Sequence, residues 1–217
     1  MYRQRAPRSP AQRLAFAFAA VLVLALGYWA GNLTRDPASD VPRRPEAMVA
    51  PAAPLRVTEL GLVDQYDRPF DAARAAGRWS AAVFAAPDDA AAAREALTRL
   101  VHVHNWLADR HDVQTKFQGL FVSLRPGTGQ GATLRDLVGF YSPDFLGLAG
   151  DAAALQPLVP PWAAAGARQG ADDDAVPPLT VAVVAPDGAL RGWFTPETPP
   201  ATIARDIKAL ALGDAAH

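Results

Sequence analysis

The chain has 217 residues, 50% of them hydrophobic and 20% charged, with a formal net charge of −1 at pH 7. That length supports one domain with a real core plus an additional segment. A charge so near zero excludes a basic nucleic-acid binder of the usual kind, so no nucleic acid is expected as a partner. No cysteine is present, which excludes disulfides, thiol redox pairs, thiolate metal sites and thiol nucleophiles.

Residues 1–13 carry Arg3, Arg5, Arg8 and Arg13 and no acid, and Leu14 to Thr34 follow as 21 residues without a charge. A helix of that length spans about 31 Å, which matches a bilayer core of ~30 Å. Tyr28 and Trp29 stand near its outer end, where amphipathic rings favour the interface. The expectation is a transmembrane helix over 14–34 that anchors the chain in membrane lipid. The positive-inside rule makes residues 1–13 a cytoplasmic basic tail and places the rest in the periplasm, as a single-pass inner (cytoplasmic) membrane protein. Ala25-Leu26-Gly27 also reads as a small-x-small cleavage site, so a cleaved signal peptide stays open. Residues 35–55 contain Pro37, Pro42, Pro45, Pro51 and Pro54 with no apolar period, and read as an extended, Pro-rich tether.

The folded domain is expected over 56–213, with a tail at 214–217. Val57 to Val63 alternates, and a turn follows at Asp64–Pro69. Trp79 to Ala86 is a short apolar run between Gly77 and Pro87, read as a buried strand. Pro87-Asp88-Asp89 opens a long helix expected to run to about Arg110, its stripe Leu97, Leu100, Val101, His104 and Leu107 facing inward. Gly119 to Leu124 is a second strand, and Arg125–Gly131 a Gly/Pro turn. Thr133 to Tyr141 is a helix stopped by Ser142-Pro143. Phe145 to Leu148 is a brief strand. Ala152 to about Ala165 is a helix broken by prolines. Leu179 to Ala185 and Leu190 to Phe194 form a hairpin around Pro186-Asp187-Gly188. Thr198 to Leu212 closes the domain as an amphipathic helix. The alternation implies an α/β domain with a mixed sheet flanked by helices, in the order of a thioredoxin-like fold.

Five segments in this order resemble the Sco (SenC) family. LGLVDQYDRPF at Leu60–Phe70 is similar to its L-x-D-Q-x-G-x-P-F motif. GRWSAAVF at Gly77–Phe84, FVSLRP at Phe121–Pro126, LRDLVGFYSPDFLGLAG at Leu134–Gly150 and VAVVAPDG at Val181–Gly188 resemble four later motifs. The resemblance covers about residues 57–211. It implies a thioredoxin-like fold and a role in delivering copper, or reducing thiols, during assembly of the copper centre of cytochrome c oxidase. It also implies protein partners, namely respiratory oxidase subunits or copper chaperones. In the family two cysteines in Cys-x-x-x-Cys and a distant histidine carry the chemistry.

Here the family's Cys-Pro-Asp-x-Cys segment aligns with Ala86-Pro87-Asp88-Asp89-Ala90, its histidine falls at about Pro177, and its aspartate after the second strand falls at Arg125. Alanine supplies neither lone pair nor nucleophile. A degenerate member is therefore expected: a binding or assembly factor rather than an enzyme, with no catalytic, cofactor-binding or metal-ligating residue and no cofactor. Two other readings stay open. One is a metal-binding protein using His104, His111 or the Asp172-Asp173-Asp174 loop. His102 and His104 point about 200° apart on a helix, so that pair cannot share an ion. The other is a structural envelope protein unrelated to respiration. Asp88 and Asp89 read as helix caps before they read as an acid/base pair. Gly127, Gly129 and Gly131 lack nucleotide-loop spacing, and Trp106, Trp162 and Trp193 are candidates for packing or a partner interface.

Overall fold

The structure, a computed structural model, describes residues 21–23, 26, 45, 47–160, 162 and 179–214. The chain divides into two compact units, residues 1–41 and 42–217. In the first unit Val21, Leu22, Val23 and Leu26 are helical and exposed. The rest of the expected span over 14–34 lies outside the described residues, as do Pro177, His217 and Asp172–Asp174. No helix among the described residues is long and apolar enough to cross a membrane.

The second unit is built on a six-stranded sheet ordered β1-β4-β3-β2-β5-β6. Its strands are β1 (Val63–Asp64), β2 (Trp79–Ala85), β3 (Phe117–Ser123), β4 (Leu146–Ala149), β5 (Val181–Val184) and β6 (Leu190–Phe194). Strands β2, β3 and β4 run parallel, while β1, β5 and β6 pair antiparallel with their neighbours. The connecting helices are α1 (Ala72–Ala75), α2 (Ala90–Trp106), α3 (His111–Gln114), α4 (Gly131–Tyr141), α5 (Ala152–Leu155) and α6 (Pro200–Asp214). This is the mixed α/β, thioredoxin-like architecture that the order of elements predicts.

β2 explains why the sheet is central. All seven of its residues are buried, as a strand covered on both faces requires. Trp79, Ala81, Val83 and Ala85 enter one core with Leu97, Leu100 and Val103 of α2, and Ile203 and Ile207 of α6. Ala82 and Phe84 enter a second core with Val57, Phe70, Ala75 and Leu155. The period of two sorts the strand into two layers. Small residues set how closely those layers approach. A Cβ at Gly119 of β3 would lie 2.5 Å from the buried Phe145 ring and 2.9 Å from Leu100.

Some expected elements change. Val57–Glu59 is a 3-10 turn rather than part of an extended stretch, and only Val63–Asp64 forms a strand. α2 ends at Trp106, not Arg110. The amides of Leu107, Ala108 and Arg110 turn back to carbonyls three residues earlier, which tightens the chain before α3. The helix expected from Ala152 stops at Leu155, and a 3-10 turn with Pro157 follows at Gln156–Leu158.

The largest revision is at the tether. Residues 47–56 lie along the outer edge of β6 as a strap. Val49 and Trp193 exchange both backbone hydrogen bonds, at 2.8 and 2.9 Å. The Leu190 amide donates to the Leu55 carbonyl and the Val57 amide to the Gly188 carbonyl, both at 2.8 Å. The Ala47 amide donates to the Asp206 carboxylate at 3.0 Å. Gly192 permits the approach, since a Cβ there would sit 2.4 Å from the Val49 oxygen. The strap covers backbone groups that an edge strand would otherwise leave unpaired.

Two substitutions test this account. Gly119→Ala is expected to destabilise the protein by about 1–3 kcal/mol in urea titration, the range for forcing extra atoms into a packed core. Gly192→Val should free the strap, so that trypsin cleaves after Arg56 faster than in the unsubstituted protein.

Candidate functional site

In folds of this order the chemistry gathers where parallel strands end and helices begin. Here that place is the mouth formed by the loop Ala86–Asp89 between β2 and α2, and the loop Leu124–Gln130 between β3 and α4. The two loops are joined by the Leu124 amide, which donates to the Ala85 carbonyl at 3.0 Å.

The charged side chains at the mouth have partners. Asp89 caps α2, its carboxylate accepting from the amides of Ala91 (3.1 Å) and Ala92 (3.0 Å). Asp88 does not cap. It pairs with the Arg125 guanidinium, which donates through Nε at 3.2 Å and also through Nη2. The pair is more than half exposed, a setting in which an ion pair contributes only about 0–1 kcal/mol. Ala86 and Ala90 offer methyl groups only. The carboxylates are thus assigned to a cap and an ion pair, and they do not form an acid/base couple.

The glycine-rich loop is tied down by Gln130. Its amide donates to the carbonyls of Arg125 (2.8 Å) and Gly127 (2.7 Å) and accepts from the buried Ser123 hydroxyl at 2.7 Å. The Gly127 amide donates to the Gly150 carbonyl at 2.8 Å. That amide is committed inside the protein and does not point at a ligand.

The structure separates the histidines. His104 sits half-buried on α2, its ring 5.7 Å from that of Phe117 and 6.2 Å from that of Phe145. Its Nε2 lies 3.4 Å from the Gln114 amide nitrogen. Its buried Nδ1 has no partner among the described residues. His111 opens the separate helix α3 and is exposed. His104 and His111 stand on different helices because α2 ends before Leu107. Among the described residues no three His, Asp or Glu side chains come together to hold a metal ion. Of the tryptophans, Trp193 is buried and donates to the Leu158 carbonyl at 3.1 Å, Trp162 packs edge-on against it at 6.2 Å, and Trp106 is exposed.

The SCO1/SenC family model matches residues 51–212. The chain belongs to the SCO1/SenC family. No curated protein matches it, but solved structures do. The crystal structure of yeast Sco1 is 19% identical with a TM-score of 0.54, covering 74% of this chain and 96% of its own. Copper-bound ScoI from Arabidopsis thaliana is 13% identical with a TM-score of 0.53, covering 74% and 98%. BsSco, a member of the Sco family of cytochrome c oxidase assembly proteins, is 12% identical with a TM-score of 0.52, covering 79% and 99%. At these identities the likeness establishes the fold.

The SCO1/SenC motif around Asp64 proves to be structural. The Asp64 side chain, 1% exposed, accepts from the Tyr66 amide (2.8 Å), the Arg68 amide (3.0 Å), Arg68 Nε (3.0 Å) and Arg74 Nη2 (2.8 Å). Asp67 takes the family's glycine place and adopts a φ of 58°, a left-handed geometry that aspartate tolerates better than most residues. Next to Asp64, the buried Gln65 accepts from the Gly147 amide at 3.0 Å, fastening the turn to β4. The spacing of Asp64 to Arg68 was a visible clue; the contribution of Arg74 was not.

Burial raises the Asp64 pKa, but the amides of Arg68 and Tyr66 and the Arg68 guanidinium outweigh it, and the carboxyl lies below its ordinary value. A depressed folded pKa stabilises the protein above the unfolded value of ~3.9 and ceases to do so as pH falls through the folded one. Asp64→Asn should therefore cost about 2 kcal/mol at pH 7, on the scale of hydrogen bonds to charged groups. It should also flatten the loss of stability below about pH 4, as measured by urea titration across pH.

Proposed function

We propose that this SCO1/SenC protein is a non-catalytic binding factor in the assembly of a respiratory cytochrome oxidase, held at the membrane and working outside the cytoplasm. The observation that carries the reading is the mouth itself. The family scaffold is intact, yet alanine stands at both cysteine places and Arg125 pairs with Asp88 across the opening. A copper ion needs thiolate or imidazole donors to be held in the family's manner, and a disulfide exchange needs a thiol. A surface that keeps its shape without these groups can act through what it binds.

The uncharged stretch over 14–34, its arginine-rich flank and the aromatic pair Tyr28-Trp29 support an anchor in lipid with the domain in the periplasm. The relation of BsSco to cytochrome c oxidase assembly supports oxidase subunits or copper chaperones as partners.

Three measurements test the proposal. Full-length protein in detergent should retain well below one Cu(I) per chain after competition with a strong chelator. Oxidase subunits should co-purify with the tagged chain from native membranes. A deletion strain should assemble oxidase with reduced copper content. Tight stoichiometric copper binding, or an oxidase of normal copper content in the deletion strain, would overturn it.

A further inference from the structure

The chain has two methionines and no cysteine. Met48 is therefore the one sulfur-bearing residue of the second compact unit. It stands in the strap at its most heavily fastened point. On one side the Ala47 amide donates to Asp206, and on the other Val49 exchanges both backbone hydrogen bonds with Trp193.

The Met48 side chain is half-buried and packs, beside Ala47, against the core shared by α2 and α6. It also lies over Gly192 of β6, where a Cβ would come within 2.8 Å of the Met48 Cγ. The thioether arm thus occupies room that the missing Gly192 side chain leaves. Beyond Val49 the hold weakens. Among the described residues no backbone hydrogen bond ties residues 50–54 to β6. A cleft of about 360 Å³ opens there, lined by Pro51, Pro54 and Leu55 of the strap and by Leu190 and Arg191 of the strand. The N-terminal half of the strap is held by three hydrogen bonds and by the apolar contact of Met48.

A thioether that packs against a core and still reaches the surface is open to a two-electron oxidant. Hydrogen peroxide would transfer one oxygen atom to it. The O–O bond breaks, an S–O bond forms, the sulfur loses two electrons, and water leaves. No thiol in the chain competes for the oxidant. The sulfoxide is polar and chiral, and it fits poorly where a flexible apolar arm had packed.

We propose that Met48 is an oxidation site and acts as a redox-sensitive fastener, its sulfoxide releasing the strap from β6. Release uncovers backbone groups of β6 around Trp193, an edge able to accept an extended strand of another chain. The inference goes beyond the oxidase reading and does not depend on it.

The test treats full-length protein in detergent with hydrogen peroxide, quantifies Met48 sulfoxide by peptide mass spectrometry, and follows tryptic cleavage of the Arg56–Val57 bond. Cleavage should be at least tenfold faster in the oxidised protein and return to its first rate after methionine sulfoxide reductases A and B with a thiol reductant. Met48→Leu, which keeps an apolar arm, should be cleaved at the slow rate before and after peroxide. Met48→Gln should be cleaved fast without peroxide. Cleavage after Arg125, in an exposed loop away from the strap, should keep its rate throughout, showing that the fold survives. The proposal is overturned if Met48 stays reduced where free methionine is fully converted, if its sulfoxide leaves the Arg56–Val57 rate unchanged, or if peroxide accelerates cleavage equally in Met48→Leu.

Discussion

Everything in the domain depends on burying β2 on both sides. All seven of its residues pair with β3 on one edge and four of them with β5 on the other, and its alternating side chains feed two separate cores. The strand therefore cannot slip by one residue without exchanging the contents of those cores. That fixed register is what places Ala86–Asp89 opposite the loop after β3. The Arg125 and Asp88 side chains meet because two parallel strands end side by side, and not because their own weak attraction draws them together.

The mouth is held in shape by devices of its own. Helix capping by Asp89 and the Gln130 clamp on the glycine loop are local devices, independent of any bound metal. Alanine at 86 and 90 brings no donor to the mouth, and these devices stand without one. The buried carboxylate of Asp64 belongs to the same structural class. It organises a turn through amides and two guanidiniums, which accounts for an aspartate at that position.

Much of this was legible in the sequence, and the exceptions have a common cause. β2, α2, β3, α4, the β5–β6 hairpin and α6 all announce themselves through period, caps or turn residues. The placing of Ala86 and Ala90 beside the start of α2 could be read from the Pro87-Asp88-Asp89 segment. Hidden features depend on partners distant in the chain. The strap over residues 47–56 is held by backbone groups of β6 and by Asp206, to which side-chain periodicity is blind. Arg99 looks like one more charge on a helix until its guanidinium meets the carbonyls of Thr195 and Thr198. The early end of α2 follows from backbone tightening after Asn105, in a stretch whose apolar spacing continues unbroken.

The strap also sets where tension enters the fold. The chain is fastened to β6 and to Asp206 from Ala47 onward, so a pull from the N-terminal side of residue 47 meets paired backbone hydrogen bonds at the sheet edge before it reaches β1.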